Sequence, residues 1–374
     1  MLAENRCYNT GMYIHELSNW PEFSWDHETI AELLIAVRHQ QGRLIGAMES
    51  IGFHLREQTI LENLTQDVVK SSEIEGEMLD SSQVRSSVAR HLGMEQVALC
   101  PANKNVEGIV EMVLDATQNF DQPLTKERLF RWHRALFPEG RSGWKKISVG
   151  DWRKGPVYVV SGQMDKEKIY FEAPSFTRVD EEMDRFLSWM NEEHSLDLVL
   201  KAALAHLWFV TIHPFDDGNG RIGRAIIDFL LARSEKSSHR FYSLSEQIQI
   251  DRKHYYLILE STQKKDLNVT AWIEWFLHCL ERAIQRALDI FETVLRKKRT
   301  WERLEQITLN DRQRKVLNRL LDGFEGHLTS SKWAKIAKCS QDTAYRDILD
   351  LIEKEILVKN CGGGRNVSYS LVYE

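Results

Sequence analysis

Apolar residues recur at three- and four-residue spacing along most of the chain, a pattern that predicts a mainly helical protein. A helix capped by Asp26 is expected through about Ile51, followed by a long polar and apolar alternation from about Glu57 to Arg90. Thr125 is placed to cap a helix carrying Leu129, Phe130, Trp132 and Leu136. From Leu196 the residues Leu198, Ala202, Leu204, Ala205, Trp208 and Phe209 line up at helical spacing, and Pro214 must stop that helix near His213. A second apolar face restarts at Ile222, Ala225, Ile226, Phe229 and Leu230. Trp272, Trp275 and Phe276 read as core residues of a helix from about Thr270 to Lys298, and His206 as a packed core histidine. One stretch departs from this period: Val157-Tyr158-Val159-Val160-Ser161-Gly162 and Ile169-Tyr170-Phe171, on either side of a charged turn, predict a β-hairpin.

Between the two apolar helices lies His213-Pro214-Phe215-Asp216-Asp217-Gly218-Asn219-Gly220-Arg221-Ile222-Gly223-Arg224. The run ends at a helix N-terminus, where free N–H groups and the positive end of the dipole favour an anion such as phosphate. Gly218 and Gly220 permit positive φ and close approach, so their amides can form an anion-binding nest, to which Asn219 adds a side-chain donor. Asp217 is a hard oxygen ligand of the kind Mg²⁺ takes alongside substrate phosphates. Arg221 and Arg224 share one side of the first turn and carry guanidinium forks suited to phosphate oxygens. His213 has an ordinary pKa near neutrality and is the natural general base for an incoming hydroxyl. The overlapping G-x-G-x-x-G follows a helix instead of a strand, which excludes a dinucleotide-fold turn. A calcium loop is excluded because its sixth and twelfth positions fall on Ile222 and Asp228.

This run matches H-P-F-x-D-G-N-G-R-x-x-R at every specified position, and the chain resembles the Fic family. The resemblance implies transfer of AMP from ATP to a Ser, Thr or Tyr hydroxyl of a protein, with His213 as base and Asp217 holding Mg²⁺ at the α- and β-phosphates. Gly218, Asn219, Gly220, Arg221 and Arg224 would then bind the nucleotide. Upstream, Ser71-Ser72-Glu73-Ile74-Glu75-Gly76 could be a plain helix end capped by Gly76. Beside the first motif it resembles the family's inhibitory S-x-x-x-E-G, with Ser71, Glu75 and Gly76 as the matching positions and Glu75 paired with Arg224. The hairpin resembles the family's flap, which docks a target segment by strand addition along Val157, Tyr158, Val159 and Val160. Self-modification and a homodimer stay open.

After Leu309 come helices at about Asp311 to Leu321, Lys332 to Ala337 and Gln341 to Lys354. Strands at Ile356-Leu357-Val358 and Val367 to Leu371 then flank Gly362-Gly363-Gly364. That order resembles a winged helix-turn-helix, with Gln341, Thr343, Tyr345 and Arg346 near the exposed start of its third helix. Residues 305–374 hold 11 Lys+Arg against 10 Asp+Glu, too near balance for phosphate-driven affinity, so the wing is assigned to protein contact, with a DNA-binding, ATP-sensing regulator as the alternative. The expected architecture is therefore mainly α: an N-terminal helical extension (1–122), a Fic helical core with a β-hairpin flap (123–300) and a C-terminal winged helix-turn-helix (305–374). The net charge of −6 offers no global attraction to nucleic acid or an anionic membrane. Five scattered cysteines (Cys7, Cys100, Cys279, Cys339, Cys361) support neither a disulfide framework nor a zinc site. With no apolar run long enough for a membrane span and no apolar leader, the cytoplasm is the expected compartment.

Overall fold

The computed structural model describes residues 12–94, 100–161, 168–193, 195–322, 324, 326–360 and 367–372. Cys7 and Cys361 lie outside the described residues, as does the side chain of Val160. The chain divides into two compact units, Met1–Ala287 and Leu288–Glu374.

The first unit is helical, as the apolar period requires. It contains α1 (His27–Glu49), α2 (Phe53–Ile74), α3 (Ser81–His91), α4 (Lys104–Gln118) and α5 (Lys126–Leu136). Two small antiparallel hairpins follow, β1–β2 (Arg141–Ser142, Lys145–Lys146) and β3–β4 (Tyr158–Ser161, Lys168–Glu172). Next come α6 (Val179–Asn191), α7 (Leu198–Ile212), α8 (Asn219–Glu235), α9 (Leu244–Ile250), α10 (Arg252–Gln263) and α11 (Thr270–Leu304). Asp26 and Thr125 cap α1 and α5: the Asp26 carboxylate accepts from the Glu28 and Thr29 amides at 3.0 and 3.3 Å, and the Thr125 hydroxyl from Arg128 at 3.2 Å. Every residue of α7 from Val199 to Ile212 is buried, which makes it the central post of the unit. α8 packs along it and buries all but its ends.

The alternation expected as one stretch from Glu57 to Arg90 is two helices. The break lies between Ile74 and Ser81, where Gly76 adopts φ 84° and the chain reverses. A second difference concerns the basic cluster Arg296-Lys297-Lys298-Arg299, expected at a helix end. Here α11 continues to Leu304, because Trp301 and Leu304 resume the apolar face and pack into the core of the second unit. Lys297 donates to Asp322 at 2.6 Å, so part of that charge is paired. The boundary between the two units accordingly falls within α11.

In the second unit α12 (Asp311–Leu321), α13 (Ser330–Ala337) and α14 (Gln341–Glu353) precede β5 (Leu357–Lys359) and β6 (Tyr369–Leu371). The strands pair antiparallel, Leu357 opposite Leu371 and Lys359 opposite Tyr369. Thr329 caps α13, which starts two residues earlier than the apolar pattern alone suggests. Trp333, fully buried, is the largest member of a core that includes Val316, Leu317, Ile348 and Leu351. Asp347 turns inward to accept from Asn310 and Arg312, and the partly exposed Asp350 accepts from Gln313, so two of the four acidic residues on α14 are paired within the unit. Gln341, Tyr345 and Arg346 are exposed. Among the described residues, no helix is long and apolar enough to cross a membrane.

Trp333→Ala is expected to cost the second unit about 3–5 kcal/mol, the usual penalty for truncating a buried tryptophan. Limited proteolysis should then cut within residues 288–374 while the fragment ending near Ala287 resists; uniform digestion of both units would contradict independent cores.

Candidate active site

The site is built where α7 ends and α8 begins. His213 caps α7 in the left-handed region (φ 53°, ψ 58°), an uncommon conformation for a residue with a side chain, so the surroundings must impose it. Its amide still donates to the Phe209 carbonyl at 2.9 Å. Arg153, almost fully buried, holds the turn from outside: its Nε donates to the His213 carbonyl at 2.8 Å, and its other nitrogens donate to the carbonyls of Gly155 and Pro174. The Arg153 amide donates to the Pro214 carbonyl at 2.9 Å. Phe215 points into the core, stacked on the His133 ring at 4.2 Å. Gly150 donates its amide to His133 Nδ1, so Nε2 carries the proton and donates to the Asp217 carbonyl at 3.2 Å.

Asn219 corrects a sequence expectation. Its side chain was assigned to phosphate. Instead Oδ1 accepts from the Phe215 amide at 3.0 Å and Nδ2 donates to the Phe215 carbonyl at 2.9 Å. An Asn in the first turn of a helix competes for nearby backbone groups, and here the tie closes the loop on itself. Its contribution to anion binding is thus to hold the α8 N-terminus in shape.

His213 Nδ1 lies 3.2 Å from the Val210 carbonyl, which can only accept, so Nδ1 bears the proton and Nε2 keeps its lone pair. Burial pushes the ring's pKa down to about 4, against the opposing effect of that hydrogen bond. The imidazole is therefore neutral at physiological pH. It borders a cavity of about 650 Å³ whose lining includes Glu75, Val159, Tyr170, Gly220, Tyr255 and Tyr256. Both partners of the flap hairpin thus contribute to the cavity wall, with Tyr158 opposite Glu172 and a register shift between Val159 and Val160. Phe171 and Val159 pack with Tyr13 and Ala173 in a small apolar cluster, which anchors one side of the hairpin, and the Ala173 amide donates to the Val157 carbonyl.

The arginines face the end of α2. Arg224 is 2% exposed; its Nη2 meets Glu75 Oε1 at 2.7 Å, Nε donates to the Ser71 hydroxyl at 2.9 Å and Nη2 to the Ser71 carbonyl at 2.7 Å. Burial opposes the charge on Arg224; Glu75, with Tyr255 and Tyr256 facing it, outweighs that cost. Ser71 and Glu75 therefore come together with α8 across some 150 residues of sequence. A Cβ built on Gly220 would fall 2.0 Å from Glu75 Oε1, so the carboxylate rests directly on the first turn of α8. Sequence reasoning missed Glu77, which pairs with Arg221; it also missed Ser142, whose hydroxyl donates to Asp217 Oδ2.

Asp217 Oδ1 accepts from the Gly218 amide, and Gly218 takes φ 81° at the helix start. Its carboxylate and the Ser142 hydroxyl are adjacent hard oxygens. Among the described residues no group of three His, Cys, Asp or Glu side chains could hold a metal ion.

Residues 123–231 match the Fic/DOC family, and residues 13–94 match a domain of unknown function, DUF4172. The Fic/DOC match runs from α5 into α8, so it contains His213, Asp217 and both arginines, while Ser71 and Glu75 lie in the preceding segment that matches DUF4172. Among curated proteins, Protein adenylyltransferase Fic of Drosophila virilis is 27% identical over 222 residues, covering 59% of this chain and 41% of that protein. The Culex quinquefasciatus protein of the same name is 25% identical over 228 residues, covering 60% and 41%. The matched region spans about two fifths of the length of these relatives. Among solved structures, a Fic family protein from Desulfovibrio desulfuricans superposes with a TM-score of 0.57 at 19% identity, covering 95% of this chain and 98% of that one. A Fic domain containing signaling protein from Bacteroides thetaiotaomicron gives 0.51 at 21% identity, covering 70% and 96%. At those identities the likeness is one of fold, and it agrees with the helical architecture.

Because the folded chain protonates His213 only near pH 4, whereas an unfolded histidine titrates near its ordinary value of 6.5, the stability due to this residue is present above that value and declines as pH falls toward 4. His133, also pushed down to about 4 by burial, acts in the same direction. NMR of the imidazole rings from pH 8 to 5 should show both neutral throughout; a midpoint near 6.5 for His213 would contradict the buried, carbonyl-bonded tautomer.

Proposed function

We propose that the protein is an adenylyltransferase that moves AMP from ATP to a Ser, Thr or Tyr hydroxyl of a protein. The observation that carries this reading is the neutral His213, proton on Nδ1 and lone pair on Nε2, bordering a cavity that Gly220 also lines, with Arg221 and Arg224 on the same α8 turn. The α8 N-terminus and the two arginines would take the phosphates. Bound Mg²⁺, held by Asp217, would screen charge at the α- and β-phosphates. His213 Nε2 would accept the proton of the target hydroxyl as its oxygen bonds to the α-phosphorus, the bond from that phosphorus to the bridging oxygen breaks, and pyrophosphate leaves. The imidazolium then releases the proton. The products are a phosphodiester on the target and pyrophosphate.

The target segment would lie as an added strand along β3 of the flap, beside Val157, Tyr158, Val159 and Val160. Glu75 would hold the enzyme in check, because the carboxylate on Arg224 competes with the terminal phosphate for the same guanidinium. A DNA-binding regulator is the second reading. It is favoured by one observation, the pairing of Asp347 and Asp350 with residues of α12, beside which Gln341, Tyr345 and Arg346 stay on the exposed start of α14. Near-balanced charge in residues 305–374 weighs toward a protein partner.

Labelled ATP with cell lysate should yield labelled protein. His213→Ala is expected to lower that transfer by about 10²- to 10⁴-fold with ATP affinity little changed, since a general base acts on rate and not on phosphate binding. Unchanged turnover would exclude His213 as base.

Glu75→Gly is expected to raise transfer, self-modification included, and adding Arg224→Ala should cancel the gain because the liberated partner is then missing. Equal transfer by wild type and Glu75→Gly across ATP concentrations would remove the inhibitory role from Glu75.

A further inference from the structure

The turn that ends α2 carries two carboxylates, not one, to α8. Glu75 meets Arg224 and Glu77 meets Arg221. Gly76, at φ 84°, makes this spacing available: the Glu77 amide donates to the Ser72 carbonyl and the Gly76 amide to the Glu73 carbonyl, each at 3.0 Å, which closes a Schellman turn and brings both flanking side chains to the α8 N-terminus. The turn is held in place from the other side. Glu73 accepts from Lys70 and Gln249, and the Tyr256 hydroxyl donates to the Ile74 carbonyl at 3.3 Å.

The two pairs share an asymmetry. The arginine side chains are 2% and 6% exposed, whereas their carboxylates, 32% and 36% exposed, come from the surface side. Arg221 is further fixed by Phe137, whose ring centre lies 5.0 Å from the guanidinium carbon, and its Nε is buried without a hydrogen-bond partner. Arg224 likewise keeps a buried Nη1 without one. Both guanidiniums take a carboxylate here, and a phosphate oxygen satisfies the same fork as a carboxylate. Two buried cations one helical turn apart therefore form two adjacent anion positions, and the Glu75-Gly76-Glu77 turn fills both.

We propose that Glu77 is a second inhibitory carboxylate, which with Glu75 occupies the two positions that the polyphosphate of a nucleotide takes on Arg221 and Arg224. This rests on the nucleotide reading above and concerns binding, not transfer. The latch opposes the polyphosphate as a whole, not only the alignment of its last group. A nucleotide must displace both carboxylates, so its apparent affinity falls with the fraction of chains in which the turn is released. Glu75→Gly consequently leaves Arg221 still occupied.

The test is calorimetric titration of the full chain with two probes. One is Mg²⁺ with a β,γ-imido ATP analogue; the other is inorganic tripolyphosphate, which reports on the arginines without adenosine. Glu77→Gln, isosteric and at a partly exposed position, should tighten both by about 10- to 100-fold, the range expected when one charge-assisted hydrogen bond no longer competes. The same gain should appear on top of Glu75→Gly, Glu77→Asp should stay near wild type, and Arg221→Gln should abolish the effect of Glu77→Gln. Affinities for both probes unchanged by Glu77→Gln, in the wild-type and the Glu75→Gly backgrounds alike, would overturn the proposal while leaving the nucleotide site intact. If tripolyphosphate responds to Glu77→Gln but the analogue binds none of the variants, the second latch stands and the nucleotide reading falls; if neither probe binds any variant, both fall.

Discussion

A buried guanidinium must have its donors met, and the site region of this protein is organised around two that meet carboxylates. Arg221 and Arg224 sit in the first two turns of α8 and are almost fully buried. The helix dipole and the free amides there already favour negative charge, so the position attracts phosphate or carboxylate for the same reason. The end of α2 supplies carboxylates when nothing else does. That single requirement links the N-terminal helices to α8. It explains why the Ser71 hydroxyl and carbonyl, the Schellman turn and the docking of α2 on α9 all converge on one place. Asp67 contributes to that docking from deep in α2, accepting from the Ser243 hydroxyl and the Ser245 amide, and burial pushes its carboxyl well above the usual range.

The setting of His213 depends on a different interaction, hydrogen bonding to backbone carbonyls. The α7 C-terminus leaves carbonyls that no helical amide can reach. One of them, Val210, fixes the His213 tautomer, and another, Ile212, is bound by Arg153 together with the His213 carbonyl itself. The loop that follows is closed by Asn219 on Phe215 and by His133 on the Asp217 carbonyl. None of these residues has to touch a substrate to matter. Each removes a way in which the loop could relax, and that is what lets a histidine persist in the left-handed region with its Nε2 free.

The local sequence carried much of the architecture and placed several of the candidate site residues in one loop. Apolar spacing marked the α7 and α8 faces; Asp26 and Thr125 marked helix starts; the period-two run at Val157–Ser161 marked the flap strand. His213, Asp217, Arg221 and Arg224 were legible because a helix stop, a glycine turn and a helix start lie within twelve consecutive residues. The assignment of Asn219 to phosphate went astray for a physical reason. A side-chain amide in the first turn of a helix can serve either a ligand or its own backbone, and sequence does not say which group lies closer.

What the sequence by itself determined is therefore what short-range forces determine: helical faces, caps, turns and the order of chemical groups along the catalytic loop. Tertiary structure decided everything that depends on partners distant in the chain. Arg153 and His133 lie 60 and 84 residues before the backbone atoms they hold, and neither sits in a pattern that announces it. Glu77 was visible as a charged residue after a glycine, but its partner lies 144 residues further on. Ion pairing and hydrogen bonding act over a few ångströms, whereas a sequence records only separation along the chain. Only the packing of α2 beside α8 turned two unremarkable glutamates into the anions of two buried arginines.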